Sequence, residues 1–191
     1  MAERQYKPKA HIILDTETLS TSRRAGVVEL AALGQFGATG MPKSFYVAIK
    51  PTQYDELKQF DVNMDTITWH NEQNPGHLAK LDAEGVSLQE AMNQFLAWIG
   101  QFTEPYELHM WSQGKDFDFP ILEWALQQCG YEPPWKFRNV HCIRDLLFLN
   151  PRSRIGGAKK AAHTAMADTE WAHAQWRKII ADSSWYGRLF N

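Results

Sequence analysis

The chain has little cysteine, no long apolar run and no marked excess of charge. Its two cysteines, Cys129 and Cys142, form no Cys-x-x-Cys or Cys/His cluster, so we expect neither redox nor zinc chemistry. No apolar stretch approaches the ~20 residues that cross a bilayer, and the first residues lead into only a few apolar positions. We therefore expect no membrane span and no export signal, which favours a cytoplasmic protein.

The overall charge does not point to a polyanionic partner. The formal net charge is −2 and the isoelectric point is near 6.4, which is not typical of a nucleic-acid-binding protein. An acidic cluster filled by divalent cations reverses its own sign, however, so a nearly neutral protein can still accept a phosphodiester at that point. Bulk charge therefore does not decide whether nucleic acid is a partner.

The length and composition favour a single domain. A chain of 191 residues with 44% hydrophobic residues can form one full hydrophobic core. We expect one domain over residues 1–191, with a core at about 10–180 and a C-terminal tail at 181–191. No internal repeat or low-complexity tract interrupts it.

The most informative segment is residues 11–18, a short apolar run that ends in two acids. Ile12 and Ile13 favour a buried strand. On a strand, residues i and i+2 lie on one face roughly 6.5–7 Å apart, so Asp15 and Glu17 present their carboxylates side by side. Two buried like charges repel unless a proton or a cation lies between them, and Mg²⁺ or Mn²⁺ prefers such oxygen ligands. The pair predicts a metal site; the alternative is two solvated turn residues.

The rest of the chain alternates between predicted strands and helices, with an irregular stretch from 51 to about 81. The first three strands have short connections, which indicates an antiparallel meander. The helix after Ser87 is marked by a capping box and by apolar residues at helical spacing. Besides the first strand, we predict strands at 27–34, 45–49 and 107–111, and helices at 87–102, 117–126, 144–149 and 161 to about 180.

Two acids lie where the strand at 107–111 leads into the next helix. Asp118 would occupy a helix N-cap position, so capping and a metal-linked role are alternatives. Asp116 is a competing candidate that spacing alone does not exclude. Pro120 is compatible with the first turn of this helix.

The last predicted helix holds a second pair, His163 and Asp168. They are five positions apart, which places them roughly 140° apart around a continuous helix. If both act at one site, His163 must lie on the loop or first turn while Asp168 projects from the helix. Otherwise they are an N-terminal polar residue and an exposed helical acid.

Aromatic and basic residues elsewhere each have two interpretations. Trp69 is either a core residue or a surface on which a base stacks. Arg23, Arg24 and the basic loop at 150–160 either bind phosphate or are solvated. The apolar segment 185–190 either forms a partner surface, as in a homodimer, or packs back onto the core.

The ordered set of acids, with a histidine five positions before the last, resembles the DEDDh group of 3′→5′ exonucleases in the ribonuclease H-like proofreading-exonuclease superfamily. The resemblance covers most of residues 10–178 and favours Asp118 over Asp116, since the matching acid follows a Phe. It also extends to the small stand-alone branch of phages and bacteria, which includes exoribonuclease-like members. The segments that carry it are Asp15-Thr-Glu17, 111–118 with 121–122, and 163–168, and for the small branch 65–69, 134–135 and 139–144.

The sequence departs from the family pattern at four positions. Gln113 stands where Asn is common, Lys115 and Asp116 add charge beside Asp118, and Glu29 occupies a position that is Ser in close relatives. These departures bear on substrate preference and leave the implied fold intact.

The resemblance implies an α/β, ribonuclease H-like fold, in which a mixed sheet of three antiparallel strands followed by parallel strands is flanked by helices. It implies that Asp15, Glu17, Asp118 and Asp168 hold two divalent ions, Mg²⁺ or Mn²⁺. His163 would be the general base. The implied reaction removes nucleoside 5′-monophosphates from the 3′ end of single-stranded DNA or RNA.

The resemblance also gives Trp69 and Phe117 weight as surfaces for terminal bases, and places Thr18 and Leu19 beside the terminal nucleotide. One alternative function is a non-catalytic single-strand-binding module on the same fold, which would have no need of four clustered carboxylates. Another is an endonuclease of the same fold, against which the spacing of the histidine and the last acid argues. The preference for DNA or RNA depends on contacts to the 2′-OH, which the sequence does not reveal.

Overall fold

The computed structural model describes residues 7–156 and 163–182. Part of the predicted basic loop, the predicted start of the last helix and the apolar segment 185–190 lie outside the described residues. The elements in chain order are β1 (Lys9–Thr18), β2 (Val27–Phe36), β3 (Lys43–Ala48), α1 (Met64–Gln73), α2 (His77–Glu84), α3 (Leu88–Gly100), β4 (Glu107–Ser112), α4 (Lys115–Gln128), β5 (Val140–Cys142), α5 (Ile143–Leu149) and α6 (Ala165–Asp182). Short 3₁₀ helices occupy Pro51–Asp55, Phe137–Asn139 and Pro151–Ser153.

The five strands form one mixed sheet in the order β3-β2-β1-β4-β5. The pairs β1/β2 and β2/β3 are antiparallel, whereas β1/β4 and β4/β5 are parallel. This confirms the expected meander and the expected parallel strands after it. The carboxyl ends of β1, β4 and β5 therefore meet at one edge of the sheet.

Side chains of β1 alternate between two hydrophobic layers, because successive residues of a strand point to opposite faces. Ile12 and Leu14 pack in a cluster with α3 and α4. Ile13 packs in a second cluster with Trp111 and Trp176, on the side of α5 and α6. The alternation places Asp15 and Glu17 on the α6 side of β1 and Thr16 on the α4 side.

The capping box at Ser87 begins α3 as predicted. The Ser87 hydroxyl accepts a hydrogen bond from the backbone N–H of Glu90 at 3.2 Å. One face of the helix is buried against the sheet, and its fully or nearly fully buried residues are Leu88, Ala91, Met92, Phe95 and Ile99.

The irregular pattern predicted for residues 51–81 was wrong, because this stretch contains α1 and α2. Asn63 caps α1, its side chain accepting from the N–H of Asp65 at 2.7 Å. The sequence pattern does not indicate these helices, because each buries little of its surface. His70 is the one buried residue of α1, and Leu81 is the one buried residue of α2. A narrow buried face leaves no apolar periodicity to detect.

The start of α4 also differs from the prediction. The helix begins at Lys115 with Gly114 as its N-cap residue, and the N–H of Asp118 already donates to the Gly114 carbonyl at 3.0 Å. Asp118 is therefore inside the first turn and does not cap the helix, and Pro120 falls beyond the first turn. The three-residue strand β5 was not predicted.

Among the described residues, no helix combines the length and apolarity that a membrane crossing requires.

Candidate active site

An open cleft of about 410 Å³ lies where β1 and β4 end. It gathers side chains from β1, α1, α4, α5 and the chain before and in α6, which are far apart in sequence. All five predicted catalytic residues reach it, and so do both predicted aromatic surfaces. Its lining residues are Asp15, Thr16, Glu17, Trp69, Gln113, Gly114, Phe117, Asp118, Arg144, His163 and Asp168.

Three carboxylates form the acidic floor of this cleft. Asp15 and Glu17 extend from β1, and Asp168 extends from the first turn of α6; their carboxylate oxygens all lie within 4.8 Å of one another. The position of α6 on the sheet is fixed in part by Thr169, whose hydroxyl donates to the Ala31 carbonyl at 3.3 Å. Three half-buried carboxylates at this separation repel one another unless a cation lies between them. The donor set consists of hard oxygens, and it fits Mg²⁺ or Mn²⁺.

Asp118 lines the same cleft but is not one of the three clustered acids. It lies on the α4 side of β1, is 4% exposed, and accepts at Oδ1 from the N–H and the hydroxyl of Thr16 at 3.3 and 3.0 Å. Burial raises the pKa of the Asp118 carboxyl above its ordinary value, whereas hydrogen bonds from Ser112 and Thr16 and the charge of Arg144 act in the opposite direction. Asp118 is therefore held at the same cleft by Thr16, the residue between Asp15 and Glu17.

His163 lies before α6, two residues from its first residue, and its side chain is exposed. Its ring contacts the edge of the Trp69 ring, with centroids 5.0 Å apart and planes inclined by 63°. The interpretation in which both His163 and Asp168 belong to one continuous helix is therefore excluded. The break between them allows the imidazole and the carboxylate to line one cleft.

Trp69 forms a wall of the cleft and is 39% exposed, so it is not a core residue. Its helix, α1, is fixed to the end of β1 by two bonds. The Nε2 atom of His70 lies 2.9 Å from the Thr18 carbonyl, and the N–H of Asn63 donates to the Leu19 carbonyl at 2.8 Å. The position of Trp69 relative to the acids is thereby defined.

The three remaining predicted substrate-binding residues differ in their position. Thr18 and Leu19 are 5% and 2% exposed, and neither lines the cleft. The Thr18 hydroxyl donates to the Ser20 carbonyl at 2.7 Å. Phe117, in contrast, lies in the first turn of α4 and does line the cleft.

A further acid lies close to the cluster on the neighbouring strand. Glu29 pairs with Glu17 in the β1/β2 register and is 1% exposed. It accepts a hydrogen bond from the Tyr46 hydroxyl at 2.6 Å and contacts Nε2 of His77 at 3.0 Å. Burial and the adjacent Glu29 raise the pKa of Tyr46. The Glu29 carboxylate is thus engaged away from the cleft.

Sequence reasoning missed some lining residues. Thr16, which lies between the two acids in the sequence of β1, was not considered as a lining residue. Arg144 lies in the first turn of α5, just past the carboxyl end of β5. Had β5 been recognised, the rule that ligands bind beyond the carboxyl ends of parallel strands would have pointed to Arg144. Of the arginine pair considered for phosphate binding, Arg24 instead contacts Asp61 at 3.2 Å.

The fold and the cleft together define a ribonuclease H-like nuclease with an acidic metal-binding cluster. The family model of the 3′-5′ exoribonuclease Rv2179c-like domain matches residues 10–180, and the chain belongs to this family. By that membership the domain is a 3′–5′ exonuclease. Comparison with curated protein sequences found no match.

Solved structures share the fold at low sequence identity. Cell-death related nuclease 4 (CRN-4) is similar with a TM-score of 0.64 and 15% identity, over 93% of this chain and 65% of that chain. The nuclease domain of 3′hExo, a DEDDh family member bound to rAMP, is similar with a TM-score of 0.61 and 11% identity, over 92% of this chain and 94% of that chain. S. pombe Pop2p in its Mg²⁺- and Mn²⁺-bound form is similar with a TM-score of 0.55 and 14% identity, over 95% of this chain and 85% of that chain.

Proposed function

We propose that this protein hydrolyses single-stranded DNA or RNA from the 3′ end and releases nucleoside 5′-monophosphates. The observation that carries the proposal is the cluster of three carboxylates within 4.8 Å at the floor of an open cleft. The similarity to 3′hExo, which was solved with the nucleoside monophosphate rAMP, supports the product class.

Asp15, Glu17 and Asp168 would hold divalent cations, with Asp118, which lines the same cleft, as the fourth ligand. The metal-bound form of Pop2p supports Mg²⁺ or Mn²⁺ as the ions. When bound, two such cations would neutralise the acids, attract the scissile phosphodiester and make the attacking water more acidic. The chain's own contribution is the fixed spacing of the acids, which β1 and α6 determine.

His163 is the proposed general base. Its imidazole is exposed at the cleft and is contacted by the Trp69 ring. An imidazole is the side chain best suited to accept a proton from water near neutral pH. The contact with Trp69 limits the directions in which the ring can point, which favours one orientation over the cleft.

Trp69 and Phe117 are the proposed surfaces for bases near the 3′ end, since both present rings to the cleft. Stacking on such a ring stabilises a bound base by ~1–3 kcal/mol without selecting its identity. Thr18 and Leu19 support this region from beneath: their carbonyls accept the hydrogen bonds that position α1.

The test is a time course on end-labelled single-stranded DNA and RNA of one sequence, with Mg²⁺, Mn²⁺ or EDTA. We expect metal-dependent laddering from the 3′ end that is lost in Asp15→Asn and strongly reduced in His163→Ala. Asp116→Asn is the matched control, because Asp116 is an exposed acid that does not line the cleft.

Two outcomes would contradict the proposal. Binding without cleavage of either polymer would support a non-catalytic module instead. Cleavage of a circular single strand would support an endonuclease, because an exonuclease needs a free end.

A further inference from the structure

A second cleft, of about 450 Å³, adjoins the candidate active site. Gln113 and Arg144 line both clefts, so the two form one continuous surface. We call the second cleft the α5 groove; its lining residues are Gln113, Arg144, Leu147, Phe148, Arg154 and Trp171.

The side chains of the α5 groove alternate between basic and aromatic. Arg144 and Phe148 are four residues apart on α5, so they lie one above the other on one side of the helix. Leu147 is buried beneath them in the hydrophobic cluster shared with α6. Trp171 of α6 and Arg154 complete the groove. The arrangement places cationic and aromatic side chains next to each other outside the acidic cluster.

Arg154 is held in place by a buried side chain of α6. Gln175 is 0% exposed, and its amide bonds the backbone on both sides of Arg154. Its Nε2 donates to the Ser153 carbonyl at 2.7 Å, and its Oε1 accepts from the N–H of Ile155 at 2.9 Å. The backbone of Arg154 is therefore positioned before any ligand binds, which lowers the entropy lost on binding.

The two arginines of the groove are not held by ion pairs within the described part of the chain. Within residues 7–156 and 163–182, neither Arg144 nor Arg154 forms an ion pair or donates a side-chain hydrogen bond, whereas Lys7, Arg24 and Lys178 each contact a carboxylate. The charge of Arg144 also acts on Asp118, whereas Arg154 lies farther along the groove. In a chain with net charge −2, two guanidinium groups without an ion pair make a local attraction for polyanions beside the candidate active site.

The aromatic members face the groove at the surface. Phe148 is 84% exposed, and Trp171 is half-buried. Exposure of a large apolar ring to water is unfavourable, and it indicates a binding surface when the ring lies among other ligand-binding groups. Rings that alternate with cations are the usual means of binding single strands, with cations on phosphates and rings on bases.

We propose that the α5 groove binds the strand on the 5′ side of the scissile phosphate. Arg144 and Arg154 contact its phosphates, and Phe148 and Trp171 stack against its bases. The direction of the strand rests on the proposed 3′-end hydrolysis, because the 3′-terminal nucleotide would occupy the neighbouring cleft. The substrate class is therefore an oligonucleotide longer than a dinucleotide.

The decisive comparison uses a dinucleotide and a 12-mer that ends in the same dinucleotide. In the wild type, kcat/KM should be higher for the 12-mer. In Arg154→Ala and in Phe148→Ala the ratio of the two kcat/KM values should fall at least about fivefold, through KM and not kcat. Arg152→Ala is the control, because Arg152 is exposed in the 3₁₀ helix that directly precedes Arg154 but lines neither cleft. Its ratio should match that of the wild type.

Salt dependence separates the two kinds of contact. Removal of one phosphate-binding arginine lowers the slope of log affinity against log salt by roughly 0.7 for a single strand. We expect that change in Arg154→Ala and none in Phe148→Ala.

Anisotropy of a 5′-labelled 12-mer in EDTA tests the groove without catalysis. Suppose that neither substrate is hydrolysed, but Arg154→Ala and Phe148→Ala weaken binding while Arg152→Ala does not. The proposed function would then be wrong, and the proposal that the groove binds the strand would be supported. Equal kcat/KM values for the two substrates in the wild type would contradict the proposal that the α5 groove binds the strand. So would unchanged ratios and affinities in both groove variants, or an equal loss in the control.

Discussion

Replacing Asp118 by Asn should stabilise the metal-free protein while it abolishes hydrolysis. The Asp118 carboxyl is 4% exposed, and the bonds from Thr16 at 3.3 and 3.0 Å do not fully compensate its burial, since burial is the largest influence on its raised pKa. A raised folded-state pKa means that the folded protein binds the proton more tightly than the unfolded chain. The resulting stability is present at low pH and is lost as the pH rises through the folded-state pKa.

An Asn at this position carries no charge and keeps an oxygen for the Thr16 donors. We expect its free energy of unfolding at neutral pH in EDTA to exceed that of the wild type by about 1–2 kcal/mol, which is within the range common for single stabilising substitutions. For a chain of this size the gain corresponds to a Tm increase of roughly 2–8 °C. Activity should disappear, because the neutral amide is a poor ligand for a divalent cation.

The assay is urea and thermal unfolding in EDTA at pH 7 and pH 4, beside Asp116→Asn. Asp116 is an exposed acid of the same helical turn, so its replacement should change stability little and leave hydrolysis intact. The advantage of Asp118→Asn should shrink at pH 4, where more of the wild-type carboxyl is protonated. A less stable variant at pH 7, or an equal gain in the control, would refute the reasoning.

Three other predictions concern the metal, the base and the buried histidines. Mn²⁺ at a hundredfold excess over its Kd should stabilise the wild type by about 2.7 kcal/mol; Asp15→Asn should lose most of that Tm increase, and an undiminished increase would exclude Asp15 as a ligand. His163→Ala should lower kcat by about 10²–10⁴-fold without a change in Tm, since the side chain is exposed; an unchanged kcat would rule out the base. Burial lowers the pKa of His141 and of His173 to about 4, so the unfolded chain takes up protons first as pH falls from 6.5 and folding loses stability. We expect the two histidines together to lower the free energy of unfolding by about 1–2 kcal/mol between pH 7 and 5, after allowance for partial solvent screening. His173→Gln should reduce this loss in urea titrations, and a pH dependence identical to that of the wild type would contradict the lowered pKa of His173.

The parts of the fold that could be predicted are those encoded by neighbouring residues. The apolar run that contains Ile12 and Ile13 predicts β1, and the serine and glutamate of the capping box predict the start of α3. The spacing of Asp15 and Glu17 similarly predicts that two carboxylates share one side of a strand. These signals depend on strand and helix periods, which are local.

The parts that escaped prediction depend on burial that is slight or on partners far along the chain. The exposure of Trp69 could not be predicted, because α1 has one buried residue and is positioned by bonds from His70 and Asn63 to β1. The place of Arg144 depends on the three-residue strand β5, which is too short to leave a pattern.

By itself, the sequence determined which acids are present and their order, and it left open whether His163 lies in the same helix as Asp168. The structure begins that helix at Ala165, after His163. Only the tertiary structure decided that Asp15, Glu17 and Asp168 gather within 4.8 Å of one another and that Asp118 is buried at the same cleft, bonded to Thr16. The physical reason is that α4 and α6 pack on opposite faces of the sheet, and distances between residues a hundred positions apart follow from that packing. The same packing places the α5 groove, with its two arginines, beside the candidate active site.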